Sequence, residues 1–277
     1  MAFGWLTVGF VTLIIFNPVV GQNDTNDDLT DSSRPSKHTD CHMNSSKYLG
    51  GTLHSMWHST LNRSILCDVR IDGGGWIVIQ RRTSRDIDFK RNWTDYRDGF
   101  GSYLSSFWLG NEDIYQLTTP DFYELRIDLK VETEFGDMLV YAHYTSFRIG
   151  SESENYTLNL GVYSGTVGEY PECGMAYSNG QQFTTIDRDN DASDLDNCAQ
   201  FQSGGGWWYK KCTCVNLNGH FNVLFWISRN WYHTIPVVRS KMMIRKTIET
   251  LFHHPQRAAN LADVKATYLH QLRQLLQ

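Results

Sequence analysis

The sequence has no excess of positive charge: 25 Lys and Arg stand against 30 Asp and Glu, a formal charge of −5 over 277 residues. Nucleic acid is therefore not expected as a partner, because phosphate binding draws on a basic stripe that releases counterions. Signatures of catalysis are missing as well. There is no phosphate-cradling G-x-x-x-x-G-K-[ST] loop and no G-x-S-x-G nucleophile elbow. His54 and His58 have the i, i+4 spacing of a helical zinc pair, but Ser55 stands where H-E-x-x-H carries its general base. The two histidines read as helix-surface residues, and no enzymatic role is expected. After residue 21 no stretch is long and apolar enough to cross a bilayer. Between residues 22 and 40 there is neither a Gly-x-y repeat nor a heptad run that would build a stalk.

Hydrophobic residues are plentiful, at 41%, with 9 Trp, 14 Tyr and 14 Phe, enough for a substantial core. Residues 1–21 hold no charged side chain and read as a secretory signal peptide cut before Gln22, with Val19 and Gly21 at the −3 and −1 positions. A retained signal anchor is the rival reading, although no Lys or Arg lies on either immediate flank to orient it. Residues 22–39 are polar and read as a flexible linker. Five Asn-x-Ser/Thr sequons agree with a secreted, extracellular product: Asn23, Asn44, Asn62, Asn92 and Asn155. Six cysteines, Cys41, Cys67, Cys173, Cys198, Cys212 and Cys214, then suggest disulfides.

Residues 49–61 fit a helix, and 65–69 and 76–80 fit two short strands about the glycine turn Gly73-Gly74-Gly75. Residues 122–131 alternate polar and apolar side chains, and 137–148 form another β-rich run, so these mark a sheet. Residues 110–117 fit a short helix closed by Pro120. Residues 173–219 keep no sustained period, and such a segment in an ordered domain needs a metal or a disulfide to hold it. Leu261, Val264, Tyr268, Leu272 and Leu275 form one helical stripe in a C-terminal tail, 247–277, a route to self-association.

The densest chemistry is the run 187–196, with five carboxylates in ten positions. They repel one another unless a cation sits among them, and oxygen ligands without His or Cys favour Ca²⁺. An EF-hand loop fails, since Ala192 falls where that loop needs Gly and Cys198 where it needs Glu. A solvated acidic turn is the alternative reading.

Six motifs in order, CDVRIDGGGWIVIQRR (67–82), DYRDGFG (95–101), FWLGNEDI (107–114), DRDND (187–191), GGWWYKKC (205–212) and NLNG (216–219), resemble the fibrinogen C-terminal domain family. That family includes ficolins and tachylectins, which are lectins, and angiopoietins and tenascins. The resemblance implies an α+β domain over residues 40–246, with a central, mainly antiparallel sheet and a long irregular calcium-binding region. It implies disulfides Cys41–Cys67 and Cys198–Cys212. Cys173 and Cys214 are left over, to pair with each other or between molecules. It places the calcium ligands on the side chains of Asp189 and Asp191 and on the backbone carbonyls of Ser193 and Leu195. One extra residue before Cys198 leaves Asp194 or Asp196 as alternatives for the second carbonyl.

The lectin members of the family bind acetyl groups in an aromatic pocket beside this calcium, shaped by a cis peptide next to the cysteine matching Cys212. Here the matching candidates are Phe201, Cys212, Thr213 and Tyr232, with Thr213 where the lectins commonly have His. Trp207 and Trp208 read as core. The resulting expectation is a secreted, calcium-stabilised recognition protein that binds carbohydrate or an acetylated surface. The alternative is an extracellular protein that binds a protein receptor or the matrix.

Overall fold

The computed structural model describes residues 41, 52–133, 136–169, 173–201, 204–228 and 233–247. The segments read as leader (1–21) and linker (22–39), and the tail read over 247–277 apart from Thr247, lie outside these residues, as do Asn23, Asn44 and Tyr232.

Strands β1 (Leu53–His58) and β2 (Arg63–Asp68) form an antiparallel hairpin in which Leu53 faces Asp68 and His58 faces Arg63. Where a helix is expected over 49–61, the described residues form the strand Leu53–His58 and the turn after it. Leu53, Met56 and Leu61 suit a helical spacing, but all three pack against the core from the hairpin, and pairing along the whole of β1 overrides local propensity. His54 and His58 consequently lie about 13 Å apart along one strand face, too far to share a metal ion. His58 is buried at 3% exposure, and its Nδ1 accepts the Leu61 N–H at 3.4 Å.

The turn into β3 (Trp76–Arg82) depends on glycine: Gly73, Gly74 and Gly75 have φ of 81°, 77° and 81°. A Cβ on Gly74 would stand 2.4 Å from the Val69 carbonyl oxygen. Helix α1 (Trp93–Asp98) follows, capped by Asn92, whose Oδ1 accepts the Asp95 N–H at 2.8 Å. Strands β4 (Phe100–Gly101) and β5 (Phe107–Trp108) lead to α2 (Asn111–Thr118), which stops just short of Pro120.

In β6 (Tyr123–Thr133) alternate residues are buried from Tyr123 to Val131, as the sequence pattern requires, and β7 (Gly136–Ile149) pairs with it. Shorter elements follow: β8 (Leu158–Leu160), β9 (Tyr163–Gly165), the one-turn helix α3 (Cys198–Phe201), β10 (Val215–Asn216) and β11 (Phe225–Ser228). The last strand, β12 (His233–Lys246), enters the middle of the sheet, giving the order β1-β2-β3-β12-β6-β7-β8. Every named strand pair is antiparallel. Met242 of β12 faces Gln80 on one side and Ile127 on the other. Together with Ile77, Val78, Leu125, Leu129 and Ile244 it forms the floor on which Trp76, Trp108, Trp208 and Trp226 are fully buried.

A buried polar network fastens the irregular region to this sheet. Gln80 donates through Nε2 to the Leu217 carbonyl at 2.9 Å and to Asn218 Oδ1 at 3.0 Å, and its Oε1 accepts from Ser240 Oγ at 2.9 Å. Arg82, 1% exposed, donates to the carbonyls of Leu217 and Gly219 at 3.1 and 2.8 Å and lies 3.8 Å over the Phe89 ring. Asn218 Nδ2 in turn donates to the Gly206 carbonyl at 3.0 Å. A Cβ on Gly205 would meet the Asn218 carbonyl oxygen at 1.9 Å, so glycine there permits the close approach.

Candidate functional site

The acidic run is not one cluster. Asp187 Oδ1 accepts the Trp93 N–H at 2.9 Å and the Thr185 hydroxyl at 2.7 Å, so it fixes the start of α1 to the loop. Arg188 donates to Asn155 Oδ1 at 2.6 Å and lies 3.9 Å over the Trp93 ring. Asn190 binds the Phe183 carbonyl through Nδ2 at 2.8 Å. Asp194 reaches Lys211 at 3.6 Å, with both side chains largely in solvent.

Of the remaining three, Asp196 is exposed, and Asp189 and Asp191 lie against each other. Asp191 Oδ2 accepts the Cys198 N–H at 2.7 Å and its Oδ1 accepts the Ser193 N–H at 2.8 Å, while its own N–H points to Asp189 Oδ1 at 3.3 Å. Burial pushes the Asp191 carboxyl above its ordinary range, and the Asp189 charge adds to this against the two amides. A cation between them relieves that repulsion. Among the described residues no group of three or more His, Cys, Asp or Glu side chains converges as a metal cage. Two carboxylates completed by backbone carbonyls and water suit Ca²⁺, a hard ion with six to eight oxygen ligands, better than a metal that needs a full side-chain shell.

The loop carrying this pair is tied directly to the segment around Cys212. Ala192 N–H donates to the Lys210 carbonyl at 2.9 Å, and a disulfide joins Cys198 at the start of α3 to Cys212, with a Cα separation of 5.3 Å. Cys173 pairs with Cys214, and Cys41 with Cys67. No described cysteine is free. Thr213 therefore stands between two bridged cysteines. Asn197 supports the loop from below, donating to the Thr185 carbonyl at 3.0 Å and accepting the Ala199 N–H at 2.8 Å.

Phe201, at the end of α3, is 75% exposed, whereas Trp207 and Trp208 are fully buried. Thr213 spends its hydroxyl locally, donating to the Val215 carbonyl at 2.8 Å and accepting the Val215 N–H at 3.2 Å. All described peptide bonds are trans, those flanking Cys212 included. Three grooves of about 460, 350 and 420 Å³ lie elsewhere, and Phe201, Cys212 and Thr213 line none of them. The structure thus joins Asp189, Asp191, Ser193, Leu195, Phe201, Cys212 and Thr213 in one covalently tied region. Of the described sequons, Asn62 is exposed with φ of 50°, and Asn92 is exposed at its cap. Asn155 is half-buried, with its Nδ2 donating to Gln182 at 2.9 Å.

Residues 39–245 match the profile of the fibrinogen beta and gamma chains, C-terminal globular domain. The chain is 40% identical to tenascin-R of Gallus gallus over 210 residues, covering 70% of this chain and 14% of that protein. It is 41% identical to ficolin-3 of Homo sapiens over 179 residues, covering 63% of this chain and 57% of that one. It therefore spans from about a seventh to just over half of the length of these two relatives. Among solved structures, the fibrinogen-like globe domain of human ANGPTL2 superposes with a TM-score of 0.64 at 36% identity, over 75% of this chain and 98% of that one.

Proposed function

The chain belongs to the fibrinogen C-terminal domain family, and from that premise we propose that it is a secreted, calcium-stabilised recognition protein with a lectin-like surface for carbohydrate or acetylated groups. The observation that carries this reading is the tie between the Asp189–Asp191 pair and the Cys212-Thr213 segment through the Ala192–Lys210 hydrogen bond and the Cys198–Cys212 bridge. The carboxylates of Asp189 and Asp191, with the carbonyls of Ser193 and Leu195, would hold the ion. When bound, calcium supplies the positive charge that lets both carboxylates stay ionised. This chain's own residues would do the recognising: Phe201 offers an exposed apolar ring on the short helix that the bridge ties to the Cys212-Thr213 segment, and backbone amides would supply donors to a carbonyl oxygen. No residue set for catalysis is assigned.

A second reading, binding of an extracellular protein, is favoured by one specific feature. Thr213 spends its hydroxyl on the Val215 backbone, so it offers no free polar group to hold a small ligand and suits a broad protein contact instead. A glycan array probed with and without chelator separates the two. Binding displaced by N-acetylated sugars and weakened by chelator supports the lectin reading. An empty array, with binding to an extracellular protein that Thr213→Trp abolishes, replaces it with the second.

A further inference from the structure

The outer face of the sheet carries a groove of about 460 Å³ far from the calcium loop in sequence, crossing β3, β12, β6 and β7. Its charges stand in rows across the strands. Lys241 faces Arg81 on one side and Asp128 on the other, Asp128 faces Tyr141, Arg239 faces Lys130, and Lys130 faces Leu139. Three inter-strand steps make the groove roughly 14 Å across.

The acids near this face are already taken. Asp128 binds Arg126 at 2.8 Å and Lys241 at 3.4 Å, and Asp68 binds Lys241 at 2.7 Å. Lys130 reaches Asp137 at 2.5 Å, and Glu124 holds His143 and Arg245. Two guanidinium groups are left over. Arg239 is exposed and has no hydrogen-bond or ion-pair partner among the described residues, and Arg81 donates only to the Tyr103 carbonyl at 3.0 Å. Burial, and then the neighbouring Arg239 charge, pull the Arg81 guanidinium below its ordinary affinity for a proton. An anion bridging the two arginines reverses the second effect, and guanidinium groups bind the oxygens of such an anion in a forked, bidentate way.

We propose that this groove binds the sulfate groups of a linear sulfated polysaccharide, one sulfate seated between Arg81 and Arg239 and neighbouring groups facing Lys130 and Lys241. The proposal rests on the reading that the chain works outside cells. The fold itself discriminates among polyanions. Beneath the two arginines and Asp128, β3 lies between β12 and β5 and β6 lies between β12 and β7, so an extended acidic peptide laid across these strands finds no free edge there and leaves its backbone amides without partners. A concave groove with Arg81 half-buried in it does not admit a flat bilayer surface. A polysaccharide has no amide ladder to satisfy, and the rim supplies apolar contact for its rings through Leu139, 83% exposed, and Tyr141.

The test is biosensor binding of the full chain to immobilised heparin oligosaccharide at physiological ionic strength, about 0.15 M. Wild type should bind, with desulfated heparin failing to compete. Arg239→Ala should weaken binding about ten- to a hundredfold, the loss expected for one charged hydrogen-bond partner, and Arg239→Lys should recover part of it. Because Arg239 is exposed and unpartnered, its variants should melt as wild type does. Chelator and Thr213→Trp should leave heparin binding unchanged, which separates this groove from the calcium loop and lets either reading fail alone. No binding by wild type, equal binding by Arg239→Ala, or binding to phosphatidylserine vesicles or a poly-glutamate peptide but not to heparin overturns the proposal.

Discussion

At the centre of the sheet, β12 is paired with β3 from Ser240 to Ile244 and with β6 from Val237 to Lys246. Between Cys173 and Gly219, by contrast, the described strand is two residues long and the backbone is held by side chains and disulfides. In the sheet each residue is supported by many neighbours, so burial of apolar area sets the stability. In the loop, a few single groups such as Asp187, Asp191 and Asn197 make the contacts that a ladder would make in a sheet. A region built that way is sensitive to the loss of one contact, and an ion can change its stability without touching the sheet.

The largest expected effect breaks the sheet. Ile127 is fully buried between Met242 and Ala142, and Ile127→Ala should cost about 2–5 kcal/mol for lost burial and the cavity left behind. Chemical denaturation should show the same loss with calcium and with chelator, and a loss that calcium erases would deny the independence of the two regions. Next comes the Cys198→Ser, Cys212→Ser double variant. Its bridge closes a sequence separation of 14 residues, so its removal should cost about 3 kcal/mol and blunt the response to calcium. Slightly smaller is the ion itself, which should stabilise wild type by about 2.7 kcal/mol at a hundredfold excess over its dissociation constant. Asp189→Ala, Asp191→Ala should abolish that gain, and a wild-type melting temperature indifferent to calcium and chelator removes the site assignment.

The same contrast explains what the sequence made legible. The alternation in β6 states which side chains are buried, because a strand with one face on the core writes its burial at every second position. The helix expected over 49–61 gives way to β1 because the pairing with β2, which no local pattern states, decides the structure there. The network of Gln80, Arg82, Asn218 and Ser240 left no local signal. Its partners are 135 to 160 residues apart, so no local pattern in the sequence pairs them. In the loop, composition pointed to a cation, but the separation of Asp189 and Asp191 from the structurally engaged Asp187 needs the hydrogen bonds themselves.

The smallest expected effect sharpens the comparison by sign. On the outer face of the sheet, burial raises the Glu124 carboxyl, but hydrogen bonds from His143 and Arg245 outweigh it and hold it below its ordinary 4.5. Its contribution is therefore full above pH 4.5 and is lost as the pH falls through the lower folded value. Glu169, next to the stretch bridged by Cys173, behaves oppositely. It accepts from the Tyr144 hydroxyl at 2.7 Å and the Ala176 N–H at 2.8 Å, yet burial prevails and raises its carboxyl. The charged form is thus a burden on the folded state, and that burden grows as the pH rises past the ordinary value. Glu124→Gln should lower the neutral-pH melting temperature and flatten its acid decline. Glu169→Gln, whose amide oxygen can still accept both hydrogen bonds, should leave the melting temperature unchanged or raise it by a few degrees, about what 1 kcal/mol gives in a domain of this size. Equal losses in the two variants, measured by calorimetry from pH 4 to pH 7 in chelator, would show that hydrogen bonding rather than burial governs both carboxyls.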